Sequence, residues 1–318
     1  MVSENCFHRG MNSEIYLQHG ASFGSDLNFN NNDQRPRMRA RTKAREFFNN
    51  SGAAPFLKKY KDIYGKADRA KSKADPNDPK TITTWWQAAA MVDWYMNAPV
   101  RYACNKKVDM GNSNWIICQD EPYTIKPPCL VYSFGINWEF AFDDAMDKLG
   151  CEVHLFDPSM KEKDHKRGSN SMFHNMGIGS YNTDSFIPRQ DIYVKDTQTW
   201  KIRTVKAIMK ELGHENRVID VLKMDVETYE WTIIDNMLET DVFKFIRQFD
   251  LEYHLFHDYP LFEEYVHIYQ VFTRLRESGL REYYSKQHQH HIKTKQTIKL
   301  QADVCYINTL FDESILRT

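Results

Sequence analysis

The chain has no apolar run approaching the roughly 18 residues that a membrane span requires. Met1–Gly20 contains no apolar stretch of the kind that centres a signal peptide. None of the six cysteines (Cys6, Cys104, Cys118, Cys129, Cys151 and Cys305) stands at CxxC spacing. Net charge is equally scarce: 42 basic and 43 acidic residues leave −1. These absences argue against a membrane span, against a CxxC redox or zinc motif, and against a chain whose whole surface binds a polyanion. By default they read as a cytoplasmic protein with free thiols. What is present is a chain of 318 residues, 42% hydrophobic and 14% aromatic, enough to bury the core of one large α/β domain or two small ones.

The near-neutral total averages two unlike parts. Residues 1–80 hold fifteen basic and nine acidic residues, whereas residues 81–318 hold 27 and 34. The first part is rich in Asn, Ser, Lys and Arg, and its run Arg35–Arg45 has a base at nearly every second position and no acid. Such a run (35–45) suits an RNA, lipid-surface or nuclear-import patch, or simply a solvated tail. The lack of an interleaved aromatic platform favours the tail, so nucleic acid is only weakly indicated. Residues 1–80 are expected to be a disordered basic segment, with a short helix within 56–80 before the linker Asp75–Pro79. The folded domain is expected over 81–318.

Within 81–318 strands and helices alternate. Thr83–Asn97 reads as a helix with a Thr cap, and Cys129–Phe134 as a short buried strand ending at Gly135. Phe142, Ala145, Met146 and Leu149 fall on one helical face, and Gly150 stops that helix. Further strands are expected at Glu152–Asp157, Ser171–Asn175, Val218–Met224, Phe249–His254 and Ala302–Asn308. Helices are expected at Thr199–Leu212, Thr228–Leu238 and Leu261–Ser278. The pattern predicts a doubly wound, Rossmann-like α/β sheet with helices on both faces.

In such folds a ligand lies outside the carboxyl ends of the strands, where the strand order reverses. After the first strand stand Ser133, Phe134, Gly135 and Asn137; after the second stand Asp157 and Pro158. Asp157 lies 22 residues beyond Gly135, near the spacing at which an acid accepts from ribose hydroxyls, although it could equally cap the turn at Pro158. A pyrophosphate wants several glycines and an anion-free helix start. Here Asn137 and Trp138 fill the approach, and Glu139, Asp143 and Asp144 follow. That favours S-adenosylmethionine, which carries a sulfonium and an ammonium but no phosphate, over NAD. The second constellation is Asp225, Glu227 and Glu230 after an apolar strand, which could bind a cation, act as a base or hold an ammonium. Glu230 also suits the start of the following helix on dipole grounds alone.

The blocks Pro127–Asn137, Phe142–Met146, Gly150–His154, Phe156–Met160, Leu212–Asp225 and Leu251–His254 resemble the methyltransferase-like protein 24 family, over roughly Cys104–Asn308. More widely they resemble FkbM-type methyltransferases. The resemblance implies a class I fold of about seven strands that binds S-adenosylmethionine. It implies that Gly135 and Asn137 line the methionine end, that Asp157 takes the ribose, and that Asn175–Gly177 lies near the adenine; Ser133, Phe134 and Pro158 beside them are further cofactor-binding candidates. Asp225 and Glu227 would then face the transfer site. Read from their places at strand ends, Asp225, Glu227 and His254 are the candidate catalytic bases, needed if the acceptor is a hydroxyl or a protonated amine, and His257, Asp258 and Tyr259 in the loop that follows could shape the acceptor pocket. Ser133 stands where the wider family has Asp, and Thr228 where it has Gly. These departures leave a catalytically inactive methyltransferase-fold binding module as the alternative to methyl transfer to an unidentified acceptor.

Some relatives look secretory, so a secretory location and disulfides among Cys104, Cys118 and Cys129 stay open. No metal set is complete in sequence. His288, His290 and His291 have no nearby Cys or acid and read as an exposed polar loop. The sequon at Asn49 decides nothing.

Overall fold

The computed structural model describes residues 51–65, 74–97, 100–256, 259–288, 292–293, 298–299 and 301–311. The basic run 35–45, Cys6, Asn49, His257, Asp258, His290 and His291 lie outside the described residues. Among those described, the alternating apolar segments pair as the sequence predicts. Leu130–Phe134 (β1) and Glu152–Phe156 (β2) run parallel, with Leu130 opposite Glu152 and Phe134 opposite Phe156. A two-residue strand, His165–Lys166 (β3), edges Ser171–His174 (β4), which lies parallel to β2. Ile219–Met224 (β5) pairs with the other side of β1, and Ile246–His254 (β6) pairs with β5, both parallel. Leu280–Gln287 (β7) and Gln301–Asn308 (β8) complete that side, antiparallel. The order is β7-β8-β6-β5-β1-β2-β4-β3. It is a doubly wound α/β sheet of eight strands rather than about seven, the addition being the short edge strand β3.

Each strand feeds two cores because its side chains alternate between faces. Leu130, Tyr132, Phe134, Leu222, Met224, Leu251 and Tyr253 face a core shared with helices Ala54–Tyr64 (α1), Trp85–Met96 (α2), Val205–Glu211 (α4), Glu230–Glu239 (α5) and Tyr265–Glu277 (α6). Val131, Val153, Leu155 and Val221 face Ala141–Leu149 (α3) through Phe142 and Met146. At the start of α2 the Gln87 side chain accepts from the Thr84 N–H at 3.2 Å, whereas the Thr84 hydroxyl, expected from the sequence as the cap, makes no such bond. Gly150, at φ 98°, ends α3 in the left-handed conformation.

Four expectations change. Helix α1 lies before residue 81, yet its Leu57 and Tyr60 are buried in the main core and the Tyr60 hydroxyl reaches Asp93 of α2 at 3.3 Å, so this helix packs with the folded body. The helix expected over Thr199–Leu212 is a strand, Trp200–Arg203, followed by α4; Thr204 caps α4 by accepting from the Ala207 N–H. Trp200–Arg203 joins Gly177–Ile178 and Thr183–Phe186 in a small sheet. The missed β7 continues directly from α6 through Gly279.

Free thiols are the fourth correction. Cys104 bonds Cys118 and Cys129 bonds Cys151, while Cys305 is free and buried. Register explains the second bridge: Cys129 and Cys151 immediately precede the paired residues Leu130 and Glu152 of two parallel strands. The first bridge fastens the hairpin Lys107–Asp109/Ile116–Cys118, which Gln248 of β6 also holds. The Gln248 side chain accepts from the Cys118 N–H at 2.9 Å and donates to the Cys118 carbonyl at 2.8 Å.

Candidate functional site

Strand order reverses between β1 and β5, and there the two strand ends are held together. The Asp225 N–H donates to the Phe134 carbonyl and the Gly135 N–H to the Phe156 carbonyl, both at 3.1 Å. Gly135 has φ 76°, and a Cβ on it would lie 1.7 Å from the Asp225 carbonyl oxygen. Only glycine permits this approach. Buried Lys223 reaches up from β5 to donate to the Gly135 carbonyl at 3.0 Å. Asn137 and Trp138 continue the loop at φ 44° and 66°, both in the left-handed region.

Asp157 holds that loop. One carboxylate oxygen accepts from the Ile136 and Asn137 N–H groups, each at 2.9 Å. The other accepts from the Ser159 N–H at 2.8 Å and the Ser159 hydroxyl at 2.6 Å. A carboxylate has about four acceptor positions, and protein donors fill them here. Asp157 is therefore an anchor for the loop and the cap of the turn at Pro158.

The remaining sequence-predicted donor-site residues divide by exposure. Ser133 and Phe134 are buried within the sheet, Phe134 stacked on Phe156, so neither side chain reaches the surface of the cleft. Gly135, Asn137, Asp157 and Pro158 sit together at the ends of β1 and β2. Pro158 packs on Gly177, where an added Cβ would meet it at 3.2 Å. Asn175 is exposed beside them, its N–H donating to Asp164 at 2.8 Å.

Across the switch point lies the acidic half. Asp225 immediately follows β5, and Glu227 and Thr228 come after it at φ 55° and 82°. A β-branched residue at that φ is strained, and strain of this kind gathers at functional sites. His254 of β6 is 99% buried at its side chain. Its Nδ1 bonds Glu230, itself fully buried, at 2.8 Å, and the Trp231 indole N–H holds its carbonyl at 3.1 Å. Its Nε2 faces Glu227 at 3.6 Å, Glu252 at 3.7 Å and Asp225 at 3.9 Å. Burial opposes charge on this ring, but Glu230 foremost, then Glu227 and Asp225, raise it to about 10. Burial, against His254 but with Asp225 and Glu230, pushes Glu227 up to about 7. Burial and the Asp225 charge push Glu252 up to about 8. Tyr193 stands close enough that burial and the charges of Glu227, Asp225 and Glu252 raise its hydroxyl to about 12.

The structure thus brings Asp225, Glu227 and His254 together as the sequence predicts, and it adds Glu252 and gives Glu230 a definite role. Asp250, Glu252 and His254 alternate along β6 and share a face. Asp303 lies opposite Glu252 in the antiparallel register with β8. His288, expected in an exposed loop without an acid, bonds Asp303 at 3.0 Å because the β7–β8 pairing returns the chain to it. The first-turn acids are not turned to a ligand: Asp143 is buried beside Ser133 and Lys223, and both Asp144 oxygens accept from Arg167 at 2.9 Å. Burial raises Asp143 to about 6 against the pull of Lys223. No helix among the described residues is long and apolar enough to cross a membrane.

A family model described as a methyltransferase domain matches residues 39–299. Probable methyltransferase-like protein 24 of Homo sapiens is 30% identical over 155 residues, which cover 47% of this chain and 40% of that protein. The protein of the same name from Rattus norvegicus matches to the same extent. The match therefore spans less than half the length of these curated relatives. A solved structure of a geranyl diphosphate methyltransferase in complex with GPP and sinefungin aligns with 85% of this chain and all of its own at 7% identity. Its TM-score is 0.28, too low to carry any inference.

Proposed function

The chain belongs to the methyltransferase domain family, and on that premise we propose that it transfers a methyl group from S-adenosylmethionine to an acceptor held at the carboxyl ends of β5 and β6. The observation that carries this reading is the apposition of Gly135 and Asp225 at the switch point, which sets the uncharged residues 135–138 that follow β1 directly beside a cluster of carboxylates. The neutral side fits the donor. It offers the Gly135 backbone, Asn137 and Asn175, with no glycine-rich cradle for a pyrophosphate.

S-adenosylmethionine would supply a methyl carbon already activated by its sulfonium. The chain's task is then to hold the two reactants in line and to exclude water. Asp157 fixes the Ile136–Asn137 backbone that meets the donor. Asp225 and Glu227, partly exposed, line the acceptor side, and their charge favours the cationic donor over a phosphate-bearing one. His254 is reached only through them. Ser133, buried against Lys223 and Asp143, leaves no carboxylate for the donor's ammonium at that position. The two disulfides favour an oxidising compartment.

Calorimetry with S-adenosylhomocysteine tests the donor site, and saturable binding is expected; tight NAD binding in its place would overturn the reading. A labelled-methyl screen over extracts then tests turnover. Ser133 and Thr228, standing where the wider family has Asp and Gly, favour a second reading, a binding module of the same fold that does not catalyse. Binding of the cofactor product without any turnover would select it.

A further inference from the structure

We propose that Asp225, Glu252 and His254 form a binding site for one divalent transition-metal cation, with the two carboxylates and the His254 Nε2 as ligands. The ligand atoms of these three residues lie within 4.8 Å of one another. Two donors bound to one such ion at about 2.1 Å stand about 3.0–3.5 Å apart at octahedral or tetrahedral angles. The observed His254 separations, 3.7 Å to Glu252 and 3.9 Å to Asp225, are too long for hydrogen bonds and within a few tenths of an ångström of shared ligation.

The second observation is His254 itself. Its side chain is 99% buried, and its Nε2 points into the cluster without a hydrogen-bond partner among the described residues. The opposite nitrogen is engaged by the fully buried Glu230 carboxylate at 2.8 Å. A carboxylate on the far nitrogen of a histidine is the arrangement that orients ligating imidazoles and makes them better donors. Trp231 pins the backbone of the same residue, so the ring is preset.

The neighbouring trio of Glu252, His288 and Asp303 lacks this signature. His288 is a third exposed and already hydrogen-bonded to Asp303. Two carboxylates with one imidazole suit Mn2+, Fe2+ or Zn2+ better than Ca2+ or Mg2+, which prefer all-oxygen sites.

Glu227, 3.6 Å from the same Nε2 and partly exposed, stands on the open side. Only the purpose of the cation rests on the proposed function. At the acceptor end it would hold an oxygen of the acceptor, which points to a hydroxyl- or carboxylate-bearing substrate.

Mn2+ titration of the full chain, followed by electron paramagnetic resonance, tests the site without any substrate. A single saturable Mn2+ with nitrogen modulation from one imidazole is expected. Glu252→Gln and Asp225→Asn, each nearly isosteric, should weaken it at least about tenfold. His254→Gln should abolish the nitrogen signal, and Mg2+ should compete poorly. Absence of saturable Mn2+ binding, or binding that both carboxamide variants leave unchanged, overturns the proposal. S-adenosylhomocysteine calorimetry on the same samples separates the two ideas: its failure with Mn2+ binding intact removes the methyl-donor reading and leaves the cation site standing.

Discussion

Gly135→Ala isolates the contact on which the site depends. At φ 76° an alanine pays about 1–2 kcal/mol for the left-handed conformation. Its Cβ would sit 1.7 Å from the Asp225 carbonyl oxygen, so the ends of β1 and β5 must part. Parting them strains the Asp225 N–H bond to Phe134 and the Lys223 bond to the Gly135 carbonyl, worth about 1 and about 2 kcal/mol. The expected loss is about 4 kcal/mol, a fall in melting temperature of about 8–16 °C for a domain of this size. Gly213→Ala is the matched control. Gly213 has nearly the same φ, 74°, but nothing within 4 Å of an added Cβ. Only the conformational cost applies, partly offset by a stiffer unfolded chain, for a net of about 1 kcal/mol. Thermal melts of both variants with S-adenosylhomocysteine calorimetry give the readout. Equal melting shifts, or unaltered cofactor affinity in Gly135→Ala, would refute the close-approach reasoning.

Asp157→Asn keeps the side chain's size but presents an amide to donors on one side. At least one of the two donor pairs loses its acceptor, so stability should fall by about 2 kcal/mol and S-adenosylhomocysteine affinity by about tenfold, read by denaturant titration and calorimetry. Burial, with His154 and Arg217 respectively adding, lowers His174 and His214 to about 4. The unfolded chain binds their protons near pH 6.5, so this stability is complete above that pH and is lost as pH falls toward 4; urea melts should show about 2 kcal/mol lost per residue at pH 5. Reduction should cost about 3 kcal/mol for each of the bridges, which close loops of 14 and 22 residues; alkylation of unreduced protein should spare Cys104, Cys118, Cys129 and Cys151 in mass spectra.

Much of the sheet is legible because its strands are buried on both faces and therefore read as apolar runs bounded by turns. Leu130–Phe134 and Ile219–Met224 are of that kind, and Gly135 and Gly150 mark their surroundings. Short elements are not legible. Lys107–Asp109 is exposed throughout, and its place depends on a disulfide and on Gln248, more than a hundred residues away. Strand β7 buries Glu282 against Arg276 of α6 and turns Arg281 onto backbone carbonyls, and no period reveals that. Asp225, Glu227 and His254 stand out in the sequence because each lies at or just beyond a strand end, and the fold brings them together. Glu252 does not stand out, since its significance comes from lying one step before His254 on the same face and from the register that sets it near Asp225.

The acids that follow β1 show how an expectation can rest on a misplaced cause. From sequence alone Asp143 and Asp144 form a negative rim that would repel a phosphate. In the fold neither does so: Asp143 is buried beside Lys223, and Asp144 is engaged by Arg167. The obstacle to a pyrophosphate is in the backbone. With Asp157 taking the Ile136 and Asn137 N–H groups, the donors that a phosphate would need are already committed. Any negative charge near the site comes instead from across the switch point, from Asp225 and in part Glu227, since burial raises Glu252 to about 8 and the neighbouring His254 is held protonated. Asp157→Ala thus separates the two causes. It frees those N–H groups while leaving the carboxylates across the switch point intact, so a gain of phosphate binding would place the discrimination in the loop, and continued exclusion would place it in the field.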